Sequence, residues 1–357
     1  MSTIKNFQPN QKVEEGMILD LLTHEGITYR PKFKMWRGTV KLTPEDLGIN
    51  SSDFTTEDAK DMITLGRKQL VPKNFLNAIT SIERKMNAFM IANGRSIFNA
   101  GYFIPNVNIP KTEKYIEELE VEWNEETTKF VNNWANTVSA SKALWQKFFF
   151  NRLPSGKIQK ALSALDQYYP EVFELRKKFD FRVSRMNIRL PTESIEMKAL
   201  DLESYRENAG SQEVARQAAK LAAEKEAKLF INEAIINLRS ELGEVCDDLL
   251  NSLIESKNGI HQKTLNRFEA IKEHFKAMNF TGDEVVNQLA EGMWKKAKEH
   301  TAKELRDDPE ALGKLAETIK LVGVQAKALA KQDSQDIVDK FIKQGKRKII
   351  QPFGENK

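Results

Sequence analysis

One cysteine, Cys246, stands in the whole sequence, which excludes an internal disulfide and makes a reducing cytoplasm the expected setting. Histidine is nearly as scarce. His24, His261, His274 and His300 fall at spacings that match no zinc motif, and a lone thiol supplies no second ligand, so no metal site is expected. Proline is missing from Thr192 to Asp308: nine of the eleven prolines lie at or before Pro191, and the next is Pro309. Only Gly210, Gly243, Gly259, Gly282 and Gly292 punctuate that gap. A proline inside a helix costs about 3 kcal/mol, so its absence from a stretch rich in Ala, Glu, Lys and Leu permits very long helices. No apolar run approaches the roughly 20 residues needed to cross a bilayer. The opening residues carry no basic segment followed by an apolar core, so no secretory signal is expected.

A one-sided charge is also lacking. Lys and Arg number 55 against 51 Asp and Glu, a net charge of +4, too balanced to mark a nucleic-acid binder by itself. Catalytic and cofactor templates are missing as well. There is no Gly-x-x-x-x-Gly-Lys-Ser/Thr; Asn93-Gly94-Arg95-Ser96 and Ser155-Gly156-Lys157 lack the paired glycine and preceding strand of a phosphate loop. Neither Gly-x-Gly-x-x-Gly nor Gly-x-Ser-x-Gly occurs. No cofactor is expected.

What is present is helical periodicity. Phe75, Ile79, Ile82, Met86 and Phe89 paint one face of a helix within residues 72–98. Gly101 to Pro110 reads as extended, because residues before prolines are pushed out of the α region. Thr112 then reads as the cap of one long helix reaching Asn151, with a stripe that includes Tyr115, Leu119, Trp123, Phe130, Trp134 and Trp145. Glutamates crowd its first turns while Lys142, Lys147 and Arg152 lie at its end, the polarity that suits a helix macrodipole. Earlier, Tyr29, Phe33, Trp36 and Val40 suggest a short strand pair in Ile27–Leu42, and Thr43 and Thr55 read as helix starts.

Beyond Pro191 a nearly unbroken helix is expected to about Lys257, with Gly210-Ser211 as a bend or break and a seam of Ile235, Leu238, Leu242, Val245, Leu249 and Leu253. Asn258-Gly259 reads as the turn of an antiparallel hairpin whose return arm carries Leu265, Phe268, Ile271, Phe275 and Met278. Thr281-Gly282-Asp283-Glu284 resembles a capping box for a helix bearing Val285, Leu289 and Met293. Asp308-Pro309 opens another, with a regular seam from Leu312 to Leu329 and small residues beside it for close packing.

Three features invite a functional reading, each beside a plainer one. Trp123, Trp134 and Trp145, spaced by 11 and so near one helix face, could stack bases, or they are core. The basic cluster Arg176, Lys177, Lys178, Arg182, Arg185 and Arg189, interleaved with Phe179, Phe181 and Val183, could hold a phosphate backbone. It could equally pair with the Glu-rich helix start at 113–126, and Phe181–Val183 alternates as a short strand does. Lys340, Lys343, Lys346, Arg347 and Lys348 could form a nucleic-acid arm, and Ile349, Ile350 and Phe353 could dock on a partner; fraying of a chain end is the alternative.

The arginines Arg84 and Arg95, read as lying on a helix, the extended Gly101…Ile104-Pro105 segment and the following helix rich in Trp and Phe carry a resemblance. From Met35 to Trp145 the chain resembles domain-of-unknown-function family 3150, found in bacteriophages and some bacterial genomes. The resemblance brings no activity and no functional residues. In some genomes its members resemble neighbours of MoxR-type ATPases and von Willebrand A-type proteins, which implies an ATPase-containing complex.

The fold expected is mainly α. It comprises a mixed segment over 1–60 with a small irregular or β element and a helical bundle over 61–191. A long antiparallel helical hairpin or coiled coil over 192–305 and C-terminal helices with a basic tail over 306–357 complete it. The function expected is a non-enzymatic, cytoplasmic interaction or scaffold protein, phage-encoded by the resemblance, acting on itself or a protein partner. The alternative is a nucleic-acid-binding accessory protein using 176–189 and 340–348. A third reading puts an unfamiliar active site where Arg84 and Arg95 face the extended segment.

Overall fold

The computed structural model describes residues 17–42, 66–187, 202–255, 261–332 and 334–350. Among these the protein is mainly helical, with twelve helices and a small antiparallel sheet. The chain opens with α1 (Met17–Glu25), β1 (Gly26–Lys34), β2 (Thr39–Lys41), β3 (Arg67–Gln69), α2 (Asn77–Asn93), β4 (Arg95–Ile97) and β5 (Gly101–Pro105). Next come α3 (Ile109–Asn132), α4 (Trp134–Phe150), α5 (Ser155–Asp166), α6 (Val172–Arg176) and β6 (Asp180–Met186). It closes with α7 (Leu202–Glu255), α8 (Gln262–Met278), α9 (Glu284–Lys298), α10 (Ala302–Asp307), α11 (Pro309–Ala330) and α12 (Gln335–Ile350). Two compact units result. The first takes residues 1–29, 93–110 and 185–357, the second 30–92 and 111–184. The helix starts read at Thr43 and Thr55, the turn Asn258-Gly259, and residues Arg189, Pro191 and Phe353 lie outside the described residues.

Four strands run in the order β4-β5-β1-β6, and β2 with β3 forms a separate ribbon. β1 pairs antiparallel with β5, Ile27 opposite Ile104 and Tyr29 opposite Tyr102, while Val40 of β2 faces Lys68 of β3. The strands read in Ile27–Leu42 therefore exist, but each pairs elsewhere rather than with the other. Gly26 permits this approach, since a Cβ there would stand 2.3 Å from the Ile104 carbonyl oxygen. Arg95 is in β4 and not on a helix, because Asn93-Gly94 ends α2 just before it.

The single helix read from Thr112 to Asn151 is two helices meeting at Asn133, where φ is −92° and ψ 13°. Backbone bonds from Asn133 N–H to the Lys129 carbonyl (3.1 Å) and from Thr137 N–H to the Asn133 carbonyl (3.0 Å) cross the junction, so it is a bend. Asn136 Nδ2 donates to Asn133 Oδ1 at 2.8 Å, the local side-chain bonding that makes asparagine a poor helix-interior residue. Thr112 is no cap. The helix starts at Ile109 with Pro110 in its first turn, where no N–H is required, and Thr112 is fully buried.

The second unit packs a cluster of rings beside an aliphatic core of Ile79, Ile82, Met86 and Leu119. Phe33 stacks on Phe181 at 4.5 Å, Trp36 meets Trp134 edge-on at 5.1 Å, and Phe130 meets Phe179 at 5.7 Å. Trp123 and Trp134 are buried and Trp145 packs against Phe149 and Leu165, so the tryptophan stripe is core, as its periodicity predicts. Trp134 Nε1 donates to the Pro170 carbonyl at 2.9 Å, satisfying the ring's one donor.

In the first unit α7 runs 54 residues, about 80 Å, straight through Gly210-Ser211 without a break. Its seam residues from Ile235 to Leu253 are buried as read, Val245 partly. The helix lying longest against it is α11, rather than the arm after Gly259. Small residues explain the choice: a Cβ on Gly323 would stand 2.9 Å from Cys246 Cβ, so these two backbones meet closely. Helices α8 and α9 join the same core through Phe268, Phe275, Val286 and Met293. Val285, read as apolar seam, is exposed, and Val286 takes its place. The α9 cap is Asp283, which accepts from Val285 and Val286 N–H groups, and not Thr281. Asp308 caps α11 with Pro309 at its first position, as the sequence indicates.

Candidate interaction surfaces

The first unit holds a buried ion pair and a half-buried carboxylate cluster. Arg239 and Asp283 form a buried pair, Nε to Oδ2 at 2.8 Å, and Arg239 Nη1 also donates to the Leu329 carbonyl at 2.9 Å. Asn279 Oδ1 accepts from Asp283 N–H and Asn279 Nδ2 donates to the Asp283 carbonyl, both at 2.8 Å, so the α8–α9 turn is tied to α7 and the end of α11. Arg95 Nη2 meets Glu241 Oε2 at 2.5 Å, and His274 Nε2 meets Glu241 Oε1 at 2.8 Å. Burial alone would raise the Glu241 pKa; the His274 hydrogen bond and the Arg95 charge outweigh it and hold the carboxyl below its ordinary range. The first centre joins helices and the second joins β4 to α7 and α8, each with matched partners.

A shallow cleft of about 260 Å³ opens in the first unit between the end of α1, the β5–α3 turn and the α8–α9 turn, with Glu25, Asn106, Lys276 and Phe341 in its lining. Asn106 Nδ2 is already committed to the His24 carbonyl at 2.5 Å. Arg84 is exposed in the second unit and Arg95 is engaged by Glu241 in the first, so the two arginines read together belong to different units. Among the described residues no group of three or more His, Cys, Asp and Glu could hold a metal ion.

The basic cluster at 176–189 is spread over two elements. Arg176 ends α6 and Lys178 follows it, both exposed. Lys177 pairs with Glu174 at 2.9 Å and lies 3.9 Å above the ring of Phe173. Phe181, Arg182 and Val183 do lie in a strand, β6, where Val183 is buried and Arg182 points out beside Asp180 at 2.9 Å. Arg185 lies 5.9 Å from the centroid of the Tyr29 ring. Of the acidic helix, Glu122 pairs with Lys85 and Glu126 with Lys129. Lys340 and Lys343 are exposed on α12, which buries Val338 and Phe341. Lys346, Arg347, Lys348, Ile349 and Ile350 continue that helix, and their side chains lie outside the described residues.

A surface that the sequence reading missed is the α4–α5 hairpin. From Trp134 to Leu165 there is no Asp or Glu, while Lys142, Lys147, Arg152, Lys157 and Lys160 are present. Lys142 pairs with Asp166 at the far end. At the tip, the backbone N–H groups of Arg152 and Leu153 both bond to the Phe149 carbonyl, at 2.9 and 2.7 Å, closing a tight turn before Pro154 and α5. Phe149 is buried with Leu70 and Leu165 and anchors that turn. Its neighbours face out: Phe150 is 73% exposed, and the Arg152 guanidinium sits 4.1 Å from the centroid of the half-exposed Phe148 ring. Lys147, Lys157 and Lys160 are exposed around it. The detectable signal was the missing acid, which a count over the whole chain averages away.

These observations define a mainly helical protein with a small antiparallel sheet. The family model described as "Protein of unknown function (DUF3150)" matches residues 27–295, and the chain belongs to this family. No curated protein and no solved structure matches it. No helix among the described residues is long and apolar enough to cross a membrane.

Proposed function

We infer that this protein is a non-enzymatic helical interaction protein that acts through self-association or a protein partner. The observation that carries this is the outer side of α11. One side of that helix is buried through Ala311, Leu315, Ile319, Val322 and Ala326, yet Leu321 and Val324, one turn apart, are 62% and 61% exposed. Ala328 continues the exposed line. These apolar side chains stand among Glu317, Lys320 and Gln325, and among the described residues nothing covers them, as suits a partner contact with a polar rim. The buried ion pairs of the first unit support the non-enzymatic reading, since their partners are one another. The ATPase neighbour implied by the family resemblance is one candidate partner.

Mass photometry and chemical crosslinking of the purified chain test the inference. An oligomer that the double substitution Leu321→Glu and Val324→Glu dissolves is the expected result. A strict monomer that retains no protein in a native pull-down would sink it.

A further inference from the structure

We propose that the tip of the α4–α5 hairpin is a binding site for single-stranded nucleic acid. Phe150 and the Arg152–Phe148 stack offer planar faces to bases, and Lys147, Lys157 and Lys160 take phosphates. This surface is separate from the α11 face and the proposal does not depend on self-association.

Four features of the hairpin lead there. From Trp134 to Leu165 it holds no acid, and Asp166, at the far end, pairs with Lys142, so the charge at the tip is positive. The tight turn brings Lys147 on α4 and Lys157 on α5 to the same end of the hairpin, where Phe149 of α4 and Leu165, Ile158 and Leu162 of α5 share one apolar cluster. An unpaired backbone neutralised at several such points is the main source of affinity for nucleic acid. Phe150 leaves most of its ring in water although its neighbour Phe149 is buried, and base stacking on such a ring is worth having whatever the base. The exposed Arg152 guanidinium lies over the Phe148 ring, 4.1 Å from its centroid, and adds a second planar group beside Phe150.

A lipid surface would also take the exposed Phe150 ring beside lysines, so anionic vesicles are an outcome of the test and not the occupant proposed. An acidic peptide would use the ammonium groups and leave the exposed rings unused. A duplex hides its base faces. Ring faces and ammonium groups recognise DNA and RNA alike, so the two should bind with similar affinity.

Fluorescence anisotropy of the full chain with labelled dT and U oligomers, across a salt series, tests the site. Binding to both is expected, falling steeply with salt. Phe150→Ala should weaken it roughly tenfold through loss of one stack. Each of Lys147→Gln, Lys157→Gln and Lys160→Gln should flatten the slope of log affinity against log salt by about 0.7. Lys314→Gln, on α11 and paired with Glu310, is the control that changes neither. Circular dichroism confirms that the variants fold, and the lysine variants carry the test if Phe150→Ala does not. The proposal fails if no oligomer binds at low salt, or if the hairpin variants bind as the native chain does. It also fails if a duplex or poly-glutamate binds as tightly, or if only phosphatidylserine vesicles are retained. Mass photometry without nucleic acid reads the other inference independently.

Discussion

In the first unit Arg239 and Asp283 sit together in the interior, with Asp283 also capping α9 and Arg239 also holding the end of α11. In the second unit a connected run of rings, Phe33, Trp36, Trp123, Phe130, Trp134, Phe179 and Phe181, some only partly buried, packs beside an aliphatic core that includes Ile79, Met86 and Leu119. Its ion pairs, Arg37–Glu83 and Lys85–Glu122, stand at the surface. Helices that meet end-on at turns need polar bridges to fix their order. Helices packed over a small sheet can be placed by the shapes of large rings. The first unit thus keeps a matched ion pair in its interior, while the Arg37–Glu83 and Lys85–Glu122 pairs of the second are exposed.

The strongest way to break this comparison is to remove Asp283. Asp283→Ala leaves a buried guanidinium with only the Leu329 carbonyl and strips the α9 cap, so the first unit should lose about 3–5 kcal/mol. Glu122→Gln in the second unit should cost no more than about 1 kcal/mol, as exposed pairs do. Urea denaturation separates the units, because Trp36, Trp123, Trp134 and Trp145 report the second and only Trp294 the first. Equal costs for the two substitutions would show that the buried pair carries no special share.

A smaller and opposite pair of effects comes from glycine. On α11, Gly323→Ala drives a methyl to within 2.9 Å of Cys246 Cβ, a rigid neighbour, and should cost about 1–3 kcal/mol. On α5, Gly156 has nothing within 4 Å of the added carbon, so Gly156→Ala should stabilise by about 0.4–1 kcal/mol through the unfolded chain. Loss of opposite sign would mean that α7 and α11 can slide apart cheaply, and that the first unit is not held by close backbone contact.

Much of this fold was legible because it is local. The seams of α7 and α11, the strand at Phe181–Val183 and the cap at Asp308 all follow from spacing and from single residues. What sequence could not give was pairing across the chain. Nothing near Ile27 announces Ile104 as its partner, and nothing near Leu249 says that α11 will lie alongside. The bend at Asn133 was hidden because the apolar stripe continues through it with its hydrogen bonds. The hairpin tip was hidden for another reason: exposure of Phe150 beside a buried Phe149 depends on the turn, and both are the same residue type in one apolar run.

The finest test sets acid against alkali. Glu241 has a folded pKa below its ordinary 4.5, because the His274 hydrogen bond and the Arg95 charge overcome its burial. The folded state therefore binds fewer protons there than the unfolded chain. This contribution is complete above about pH 4.5 and drains as pH falls through the folded value. Tyr169 in the second unit is the reverse: burial first, and the Asp166 charge second, push its phenol from 10.0 up to about 12. Its hydroxyl donates to the Leu70 carbonyl at 2.9 Å. Stability from Tyr169 is complete below pH 10.0 and is lost as pH climbs toward about 12. Denaturation followed by tryptophan fluorescence and by circular dichroism should show the Glu241 loss in acid in the first unit and the Tyr169 loss in alkali in the second, with Cys246, whose thiol burial pushes from 9.0 up to about 12, adding an alkaline loss to the first. Glu241→Gln should flatten only the acid limb and Tyr169→Phe only the alkaline one. If either substitution flattens both limbs, the two units do not titrate as separate bodies and the contrast between them must be redrawn.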